Sequence, residues 1–268
     1  KFCKIKTDKY YKEKLEQTVE FLKKDFLNKD GYLGSAYDAD SEGEEGKYYV
    51  FTYDELKKIE NIEKYFEIRS EGNWENKIIL VEKIKPNNKI LNKLLEIRSK
   101  RKKPFFDDKT QLDLNCLWIS ALVAANEILP TKGYLKLAEE FFSLIDKKYI
   151  KNEIYHSYSK QIVFIEDYAF LINALNDLSD STMNFKYKDL AREMSKDAIS
   201  KFYLKSKDIF QKNQINYNDT FFNPVDIGDN TIPNGNAIML INFVRLGMME
   251  NAKKLSDSLN GYLNIYKN

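Results

Sequence analysis

The chain has little of several residue types that define common functional sites. Its 268 residues include one histidine, two cysteines and five prolines. Cys3 and Cys116 form neither a CxxC pair nor a zinc-ligand spacing, so the cysteines indicate no thiol redox centre and no structural zinc site. This cysteine usage fits a reducing, cytoplasmic location. We expect neither a metal ion nor a cofactor.

The chain also lacks a surplus of either charge and lacks long apolar runs. Lys and Arg number 43 against 41 Asp and Glu, a net charge of +2, which gives no electrostatic reason to expect nucleic acid as a partner. No window approaches 18 apolar residues, so no membrane span is expected. With 43% hydrophobic residues, the chain can build one large or two small cores. Because it begins with Lys1, we expect a fragment of a longer protein.

Periodicity predicts a mostly helical chain made of helical hairpins. In each hairpin of the second half, a nearly continuous apolar helix precedes a Lys-rich amphipathic one, as an inner ring of helices shielded by an outer ring requires. The three apolar runs and their amphipathic followers are NCLWISALVAANEI with YLKLAEEFFSLIDKKYI, DYAFLINAL with KYKDLAREMSKDAISKFYL, and GNAIMLINF with ENAKKLSDSLNGYL.

The first half predicts one outer-type helix followed by an irregular insertion over residues 31–106. The predicted outer-type helix covers residues 8–27, and a second predicted helix covers 89–103. Between them we predict a strand over 47–52 that pairs with a strand over 78–81. A capping box from Thr52 to Glu55 follows the first of these strands and opens a short helix.

The insertion opens on an acidic loop. Residues 38–46 contain five carboxylates and two glycines. Asp38, Asp40 and Glu42 have the spacing of the first half of a calcium-binding EF-hand loop, but Tyr49 stands where the bidentate Glu is required. Three readings stay open: a solvated acidic turn, a polar ligand pocket and an acidic loop stabilised by calcium.

Each apolar inner helix begins with polar residues that suit catalysis or ligand binding. Taken singly, such residues are ordinary N-caps. If the inner helices run parallel in a ring, however, their starts converge on one mouth, where carboxylates could perform acid and base chemistry. The residues at the three starts are Asp107, Asp108, Asp113 and Asn115; Glu166, Asp167 and Tyr168; and Asn234 and Asn236.

From these patterns we select candidate site residues. The candidates for general acid or base are Asp38, Asp40, Asp108 and Asp167. The candidates for ligand binding are Glu42, Trp74, Asn115, Glu166, Tyr168, Asn234 and Asn236. The single histidine, His156, lies between two helices with no carboxylate motif beside it in sequence, so we assign it a structural or solvent-facing role.

Five ordered segments carry a resemblance to a known family. GYLGSAYDADSEGEEGKYYVFTYDEL, EGNWENKIIL, RSKRKKPFFDDK, FIEDYAFLINALNDL and IPNGNAIMLINFVRL resemble the C-terminal part of the spermatogenesis-associated protein 20 family of thioredoxin domain-containing proteins. The resemblance implies an all-α fold, an (α/α)6 toroid-like barrel similar to six-hairpin glycosidases and N-acylglucosamine 2-epimerases, with a small β-hairpin insertion. The chain departs from the family at Leu114-Asn115-Cys116, where the family usually has Trp-Asn-Gly.

The family's thioredoxin-like domain and first barrel helices have no counterpart in this chain. We therefore expect an incomplete barrel whose apolar edge is covered by a missing segment, a partner chain or a homodimer mate. The resulting hypothesis is epimerase-like or glycosidase-like chemistry on a sugar or other polyhydroxyl ligand. The alternative is a noncatalytic scaffold that partners a thioredoxin-like domain in a redox-related role.

Overall fold

A computed structural model describes residues 8–150, 154–157, 162–215 and 223–265 of the chain. These residues divide into two compact units. The helical unit comprises the described residues up to Ser35 and from Asp108 onward, and the insert unit is Ala36–Asp107. Cys3 lies outside the described residues, and Cys116 is buried in the helical unit.

The described elements include the helices that the sequence pattern predicts, together with short strands. The helices are α1 (Lys9–Asp25), α2 (Tyr53–Leu56), α3 (Ile62–Tyr65), α4 (Asn88–Ser99), α5 (Leu112–Ile128), α6 (Tyr134–Ile145), α7 (Ile165–Thr182), α8 (Phe185–Phe202), α9 (Gly235–Arg245) and α10 (Met249–Ile265). The strands are β1 (Gly34–Tyr37), β2 (Asp40–Ser41), β3 (Glu44–Glu45), β4 (Phe106–Thr110), β5 (Tyr203–Leu204) and β6 (Ile209–Phe210), and they pair as β1–β4, β2–β3 and β5–β6.

The predicted helical hairpins are confirmed in the helical unit. α5 packs against α6, α7 against α8, and α9 against α10, while α7 also packs against both α5 and α9. The inner helix α7 is buried along most of its length, whereas the outer helix α8 buries only one face. The chain is thus mostly helical, with small antiparallel sheets at the ends of helices.

The core of the helical unit lies between the inner and outer helices. Ile119, Leu122, Leu171 and Phe243 are fully buried there and belong to one continuous apolar cluster. Burying each such side chain contributes about 1.5–3 kcal/mol. This core therefore fixes the three inner helices side by side, which sets where their first residues lie.

Side-chain caps begin several of the helices. Asp8 accepts a hydrogen bond from the Tyr10 backbone N–H at the start of α1, and Asn234 accepts from the Ala237 N–H at the start of α9. Each cap satisfies a backbone donor that has no partner inside its helix. Gly133 separates α5 from α6 with φ of 73°, a left-handed conformation that glycine adopts without strain.

The insert unit confirms the predicted capping box and corrects the predicted strand pair. Thr52 Oγ1 accepts from the Glu55 N–H, and the Glu55 carboxylate accepts from the Thr52 N–H, so both halves of the box are formed. The predicted strands over 47–52 and 78–81 are both wrong, because residues 47–49 form a turn and residues 79–81 belong to no strand. The pairing survives as a single bridge between Phe51 and Ile78, whose backbone groups exchange two hydrogen bonds.

The acidic loop is a tight antiparallel hairpin. Asp40 pairs with Glu45 and Ser41 with Glu44 across β2 and β3. Glu42 and Gly43 form the turn with φ of 55° and 78°, the left-handed pair that a two-residue hairpin of type I′ requires. Of the three carboxylates with EF-hand spacing, Asp40 therefore lies in a strand and Glu42 in the turn, while Asp38 precedes the hairpin.

Among the described residues, no helix combines the length and the apolar character needed to span a membrane.

Candidate functional site

The starts of the three inner helices border one pocket of the helical unit. The pocket has a volume of about 270 Å³ and takes Asp113 from α5, Glu166 from α7 and the cap Asn234 from α9. Its remaining walls come from the connecting segments: His156, Phe164, Lys212, Asp226, Gly228, Asn230, Thr231, Ile232 and Pro233. The core packing of the inner helices thus brings three polar helix starts to one place.

A cluster of one histidine and two aspartates lies at one wall of this pocket, which Asp113 and His156 line. The Nδ1 atom of His156 lies 2.9 Å from Oδ1 of Asp167 and 3.9 Å from Oδ1 of Asp113. Asp167 is fully buried, and Asp113 is 6% exposed. We refer to Asp113, His156 and Asp167 as the Asp-His-Asp cluster.

Both ring nitrogens of His156 have partners. Nε2 lies 2.7 Å from the side-chain amide of Gln111, and Nδ1 faces Asp167. The backbone holds the residue as well, because its N–H donates to the Ile162 carbonyl and its carbonyl accepts from the Leu112 N–H. His156 is therefore fixed in orientation and has no free nitrogen with which to take a proton from a ligand.

The surroundings shift the pKa values of two members of the cluster. Burial acts to lower the pKa of His156, but the hydrogen bond to Asp167 and the charges of Asp167 and Asp113 outweigh it, so the pKa is raised. Burial, followed by the charge of Asp167, raises the pKa of Asp113 to about 6, although His156 opposes this rise. The cluster therefore holds more protons near neutral pH than the same groups in water.

Glu166 is a half-buried carboxyl group at the pocket wall. Burial raises its pKa, against the hydrogen bond from its own backbone N–H and the positive charge of Lys212. Its Oε2 atom is buried and has no hydrogen-bond partner among the described residues. Leaving such an atom unpaired costs about 1–3 kcal/mol, so a proton or a ligand hydroxyl group at this atom would be favoured.

Gly235 allows the Glu166 carboxyl group to approach the start of α9. A Cβ atom at Gly235 would lie 3.1 Å from Oε1 of Glu166 and 3.2 Å from the Ile165 side chain. A helix start favours a nearby negative charge. A larger residue in place of Gly235 in the Pro-Asn-Gly-Asn segment would therefore crowd the Glu166 carboxyl group at the pocket wall.

Several candidates from the sequence hold the fold instead of lining the pocket. The Asn115 side chain bonds both the N–H and the carbonyl of Leu33. The Asn236 side chain does the same for Phe210. Tyr168 is fully buried, and its hydroxyl group donates to Asp197 and accepts from Lys201 at 3.0 Å.

The candidates in and beside the insert unit have local partners. The Asp38 side chain accepts from the Asp40 backbone N–H at 3.2 Å, and Glu42 lies 3.5 Å from the Lys47 ammonium. The Trp74 ring lies over Gly46, where an added Cβ would meet it at 3.4 Å. In the helical unit, the backbone carbonyl of Asp108 accepts from the Asn28 amide.

The best-paired carboxylate of the acidic hairpin is one that the sequence did not single out. Hydrogen bonds from Lys47 and Lys77, with their charges, lower the pKa of the exposed Glu44 to about 2. This hairpin thus carries internal counter-charges, which fits the reading of a solvated acidic turn.

Sequence reasoning selected Asp167, Glu166 and Asn234 at the pocket but passed over His156, Gln111 and Lys212. His156 is 11 residues before Asp167, a separation that no helix or strand periodicity links. The sequence indicated this contact only through a lone histidine and a carboxylate at the predicted start of a buried helix. Its partner Asp113 comes from another helix, so only the fold brings the cluster together.

No protein-family model matches the chain, and no curated protein sequence matches it. Among solved structures, the chain is similar to a cellobiose 2-epimerase from Bacillus thermoamylovorans B4167, with 15% identity and a TM-score of 0.45 over 55% of this chain and 43% of that one. A sugar epimerase from a ruminal bacterium is 16% identical, with a TM-score of 0.44 over 59% and 44%. A D-mannose isomerase is 13% identical, with a TM-score of 0.43 over 93% and 70%.

The chain thus covers less than half of the length of the first two of these structures. Similarity of this extent assigns neither a substrate nor a reaction. The resemblance to the spermatogenesis-associated protein 20 family stays a prediction.

Proposed function

We propose that the pocket at the starts of α5, α7 and α9 binds a small polyhydroxyl ligand, such as a monosaccharide, and transfers a proton to or from it in an epimerase-like or glycosidase-like reaction. The observation that carries this proposal is the buried Oε2 atom of Glu166, which has no hydrogen-bond partner in the described part of the chain and lies at a pocket wall shared with Asp113 and His156. Three inner helices supply polar groups to this one pocket.

The size and the lining of the pocket set the ligand class. Its volume of about 270 Å³ is close to the lower end of the range of about 300–1,000 Å³ for small-molecule sites, which fits a single small ligand. Asn230 and Thr231 at the pocket wall carry amide and hydroxyl groups, which can both donate to and accept from ligand hydroxyl groups. Phe164 supplies an apolar face of the kind that a sugar ring contacts.

Glu166 is the proposed proton-transfer group. Its raised pKa keeps the carboxyl group closer to neutrality than an exposed glutamate, as a general acid near neutral pH requires. Lys212 supplies a positive charge that acts on Glu166, so the ionised form is also accessible as a base. Asp113 and Asp167 offer oxygen atoms within 4.8 Å of each other and of His156, so acidic groups are concentrated on one side of the pocket.

We propose in addition that the three hairpins form part of an (α/α)6 toroid. Alternation of buried inner helices with half-exposed outer ones supports this arrangement. On α9, Ile241 and Val244 are about half exposed, which is unusual for a helix of this apolar character.

A test of the reaction uses isotope exchange on the complete chain. Monosaccharides and disaccharides are incubated in D2O with the wild-type protein, with Glu166→Gln and with the exposed α8 control Glu193→Gln. NMR detects the exchange of a carbon-bound proton of the sugar or the cleavage of its glycosidic bond. We expect one of these reactions with at least one sugar for both the wild-type protein and Glu193→Gln. Glu166→Gln should be slower by 100-fold or more, as expected for a proton-transfer group.

Equal rates for Glu166→Gln and the wild-type protein would exclude the assigned role of Glu166. Absence of exchange and of cleavage with every sugar, together with absence of binding at millimolar concentrations, would favour the alternative of a noncatalytic scaffold.

A further inference from the structure

We propose that Asp113, His156 and Asp167 together bind a divalent transition-metal ion at this wall of the pocket, with Nδ1 of His156 and one carboxylate oxygen of each aspartate as ligands. This metal site is independent of the proposed sugar chemistry. The cluster combines an imidazole with two carboxylates, a donor set that suits Mn²⁺, Fe²⁺, Co²⁺ or Zn²⁺.

The distances in the cluster are close to those of a coordinated ion. The three donor atoms lie within 4.8 Å of one another, and Nδ1 of His156 is 2.9 Å from Asp167 and 3.9 Å from Asp113. Metal–ligand bonds of about 2.0–2.2 Å place adjacent donors about 3 Å apart. Asp167 and His156 already have this separation, whereas the Asp113 carboxylate would have to move by about 1–2 Å toward both of them to complete the set.

Every proposed ligand is held by a second group, as is usual for built metal sites. Oδ2 of Asp167 accepts from the Phe164 N–H at 2.9 Å, and Oδ1 of Asp113 accepts from the Leu114 N–H at 2.7 Å. Nε2 of His156 lies 2.7 Å from the Gln111 amide. The amide nitrogen of Gln111 faces Nε2 in the structure. A flip of this amide would place its carbonyl oxygen there, so that Gln111 accepts the Nε2–H and the lone pair of Nδ1 can bind the metal in place of the contact to Asp167.

The three ligands occupy one side of the ion and the pocket the other. Asp113 and His156 both line the pocket, whereas Asp167 is fully buried. Three protein ligands with an open remaining position are the arrangement of catalytic metal sites. If the proposed sugar site is correct, two neighbouring hydroxyl groups of the ligand could occupy the open positions.

Metal binding exchanges a proton for a cation. Starting from the imidazolium, which has a proton on each ring nitrogen, the hydrogen bond from Nδ1–H to Asp167 breaks and the Nδ1 proton goes to solvent. Nε2 keeps its proton, and the Nδ1 lone pair forms the bond to the ion. A doubly positive ion then lies between two buried carboxylates, whose mutual repulsion it offsets. Affinity should therefore fall as the pH is lowered, since protons compete for all three ligands.

The first experiment uses the fact that the chain has one histidine. The untagged protein is treated with EDTA, and its imidazole is followed in long-range ¹H–¹⁵N spectra during addition of ZnCl2. We expect a single set of imidazole signals to change on addition of one equivalent, with the Nδ1 resonance moving most. MnCl2 should broaden the same signals.

Variants separate the cluster from adventitious binding. In titration calorimetry, His156→Gln and Asp113→Asn should each lose at least 100-fold in Zn²⁺ affinity, whereas the exposed control Asp257→Asn should keep it. Gln111→Ala should lose about 10–100-fold, as expected for a group that orients a ligand. Circular dichroism checks that each variant is folded. The NMR titration of the wild-type protein tests the metal site even if a variant does not fold.

Two results would overturn the proposal. One is an imidazole spectrum that does not change with 1 mM Zn²⁺, Mn²⁺ or Co²⁺. The other is Zn²⁺ binding that His156→Gln leaves intact. Sugar binding is measured separately in EDTA-treated protein, so failure of the metal site and failure of the sugar site are distinguishable.

Discussion

The imidazole of His156 lies 2.9 Å from the carboxylate of Asp167, which is fully buried at the start of α7. The same carboxylate accepts from the Phe164 backbone N–H, so one side chain orients the histidine and caps the helix. This pair joins the segment before α7 to the pocket wall. The Gln111 amide, at the start of α5, completes the contact on the other ring nitrogen.

We expect Asp167→Asn to destabilise the fold by about 3 kcal/mol. The NH2 group of asparagine would replace one of the two carboxylate oxygens that accept from His156 and from the Phe164 N–H, and the half-buried His156 would lose its counter-charge. Urea unfolding of the EDTA-treated protein measures the change. The control Asp257→Asn, which is exposed on α10, should stay within about 0.5 kcal/mol of the wild-type protein. A loss below about 1 kcal/mol for Asp167→Asn would contradict the role of this pair.

The stability difference between the wild-type protein and Asp113→Asn should depend on pH. The folded-state pKa of Asp113 is raised to about 6 from 3.8, so the folded state binds more protons than the unfolded state between these values. Stability of the wild-type protein therefore falls as the pH rises from about 4 to 6. Asp113→Asn has no titrating carboxyl group at this position, so its stability does not fall for this reason.

Consequently, the variant should gain about 2 kcal/mol relative to the wild-type protein between pH 4 and pH 7. His156 acts in the same direction, because the charge of Asp113 contributes to its raised pKa, which gives stability that is present at low pH and lost as the pH rises above about 6.5. Urea unfolding in EDTA across this pH range measures the difference. A difference that is constant with pH would contradict the raised pKa of Asp113.

Asn236→Ala should reduce stability by about 3 kcal/mol, because the side chain satisfies the N–H and carbonyl of Phe210 and the carbonyl of Asp226 in a buried position. Thermal and urea unfolding measure the loss, and the exposed Asn88→Ala serves as the control. If Asn236 instead bound the ligand directly, the substitution would lower ligand affinity with little change in stability.

The sequence pattern predicted the helical hairpins because burial of one helix face repeats with the helical period. α7 and α8 follow directly from this period, and the capping box at Thr52 follows from local hydrogen bonding. The short strands β5 and β6 were not predicted, since two-residue strands carry too few positions for an alternation.

The candidate site was predictable only in part. Asp167, Glu166 and Asn234 stand at predicted helix starts, and the packing of the inner helices brings these starts together. Asn115 and Asn236 stand at similar positions, yet their side chains bond the backbone of Leu33 and Phe210. Sequence position cannot separate the two outcomes, because they depend on which loop lies opposite each helix start.

The most direct test of the central claim is a ¹H–¹⁵N correlation titration of the assigned, EDTA-treated protein with monosaccharides at millimolar concentrations. The account predicts that the largest shifts occur at the backbone amides of Gly228, Asn230 and Asn234, which line the pocket, and that Glu166→Gln reduces them while Glu193→Gln does not. Shifts confined to the acidic hairpin at residues 38–46, or no shift with any sugar, would contradict a ligand site at the starts of the inner helices.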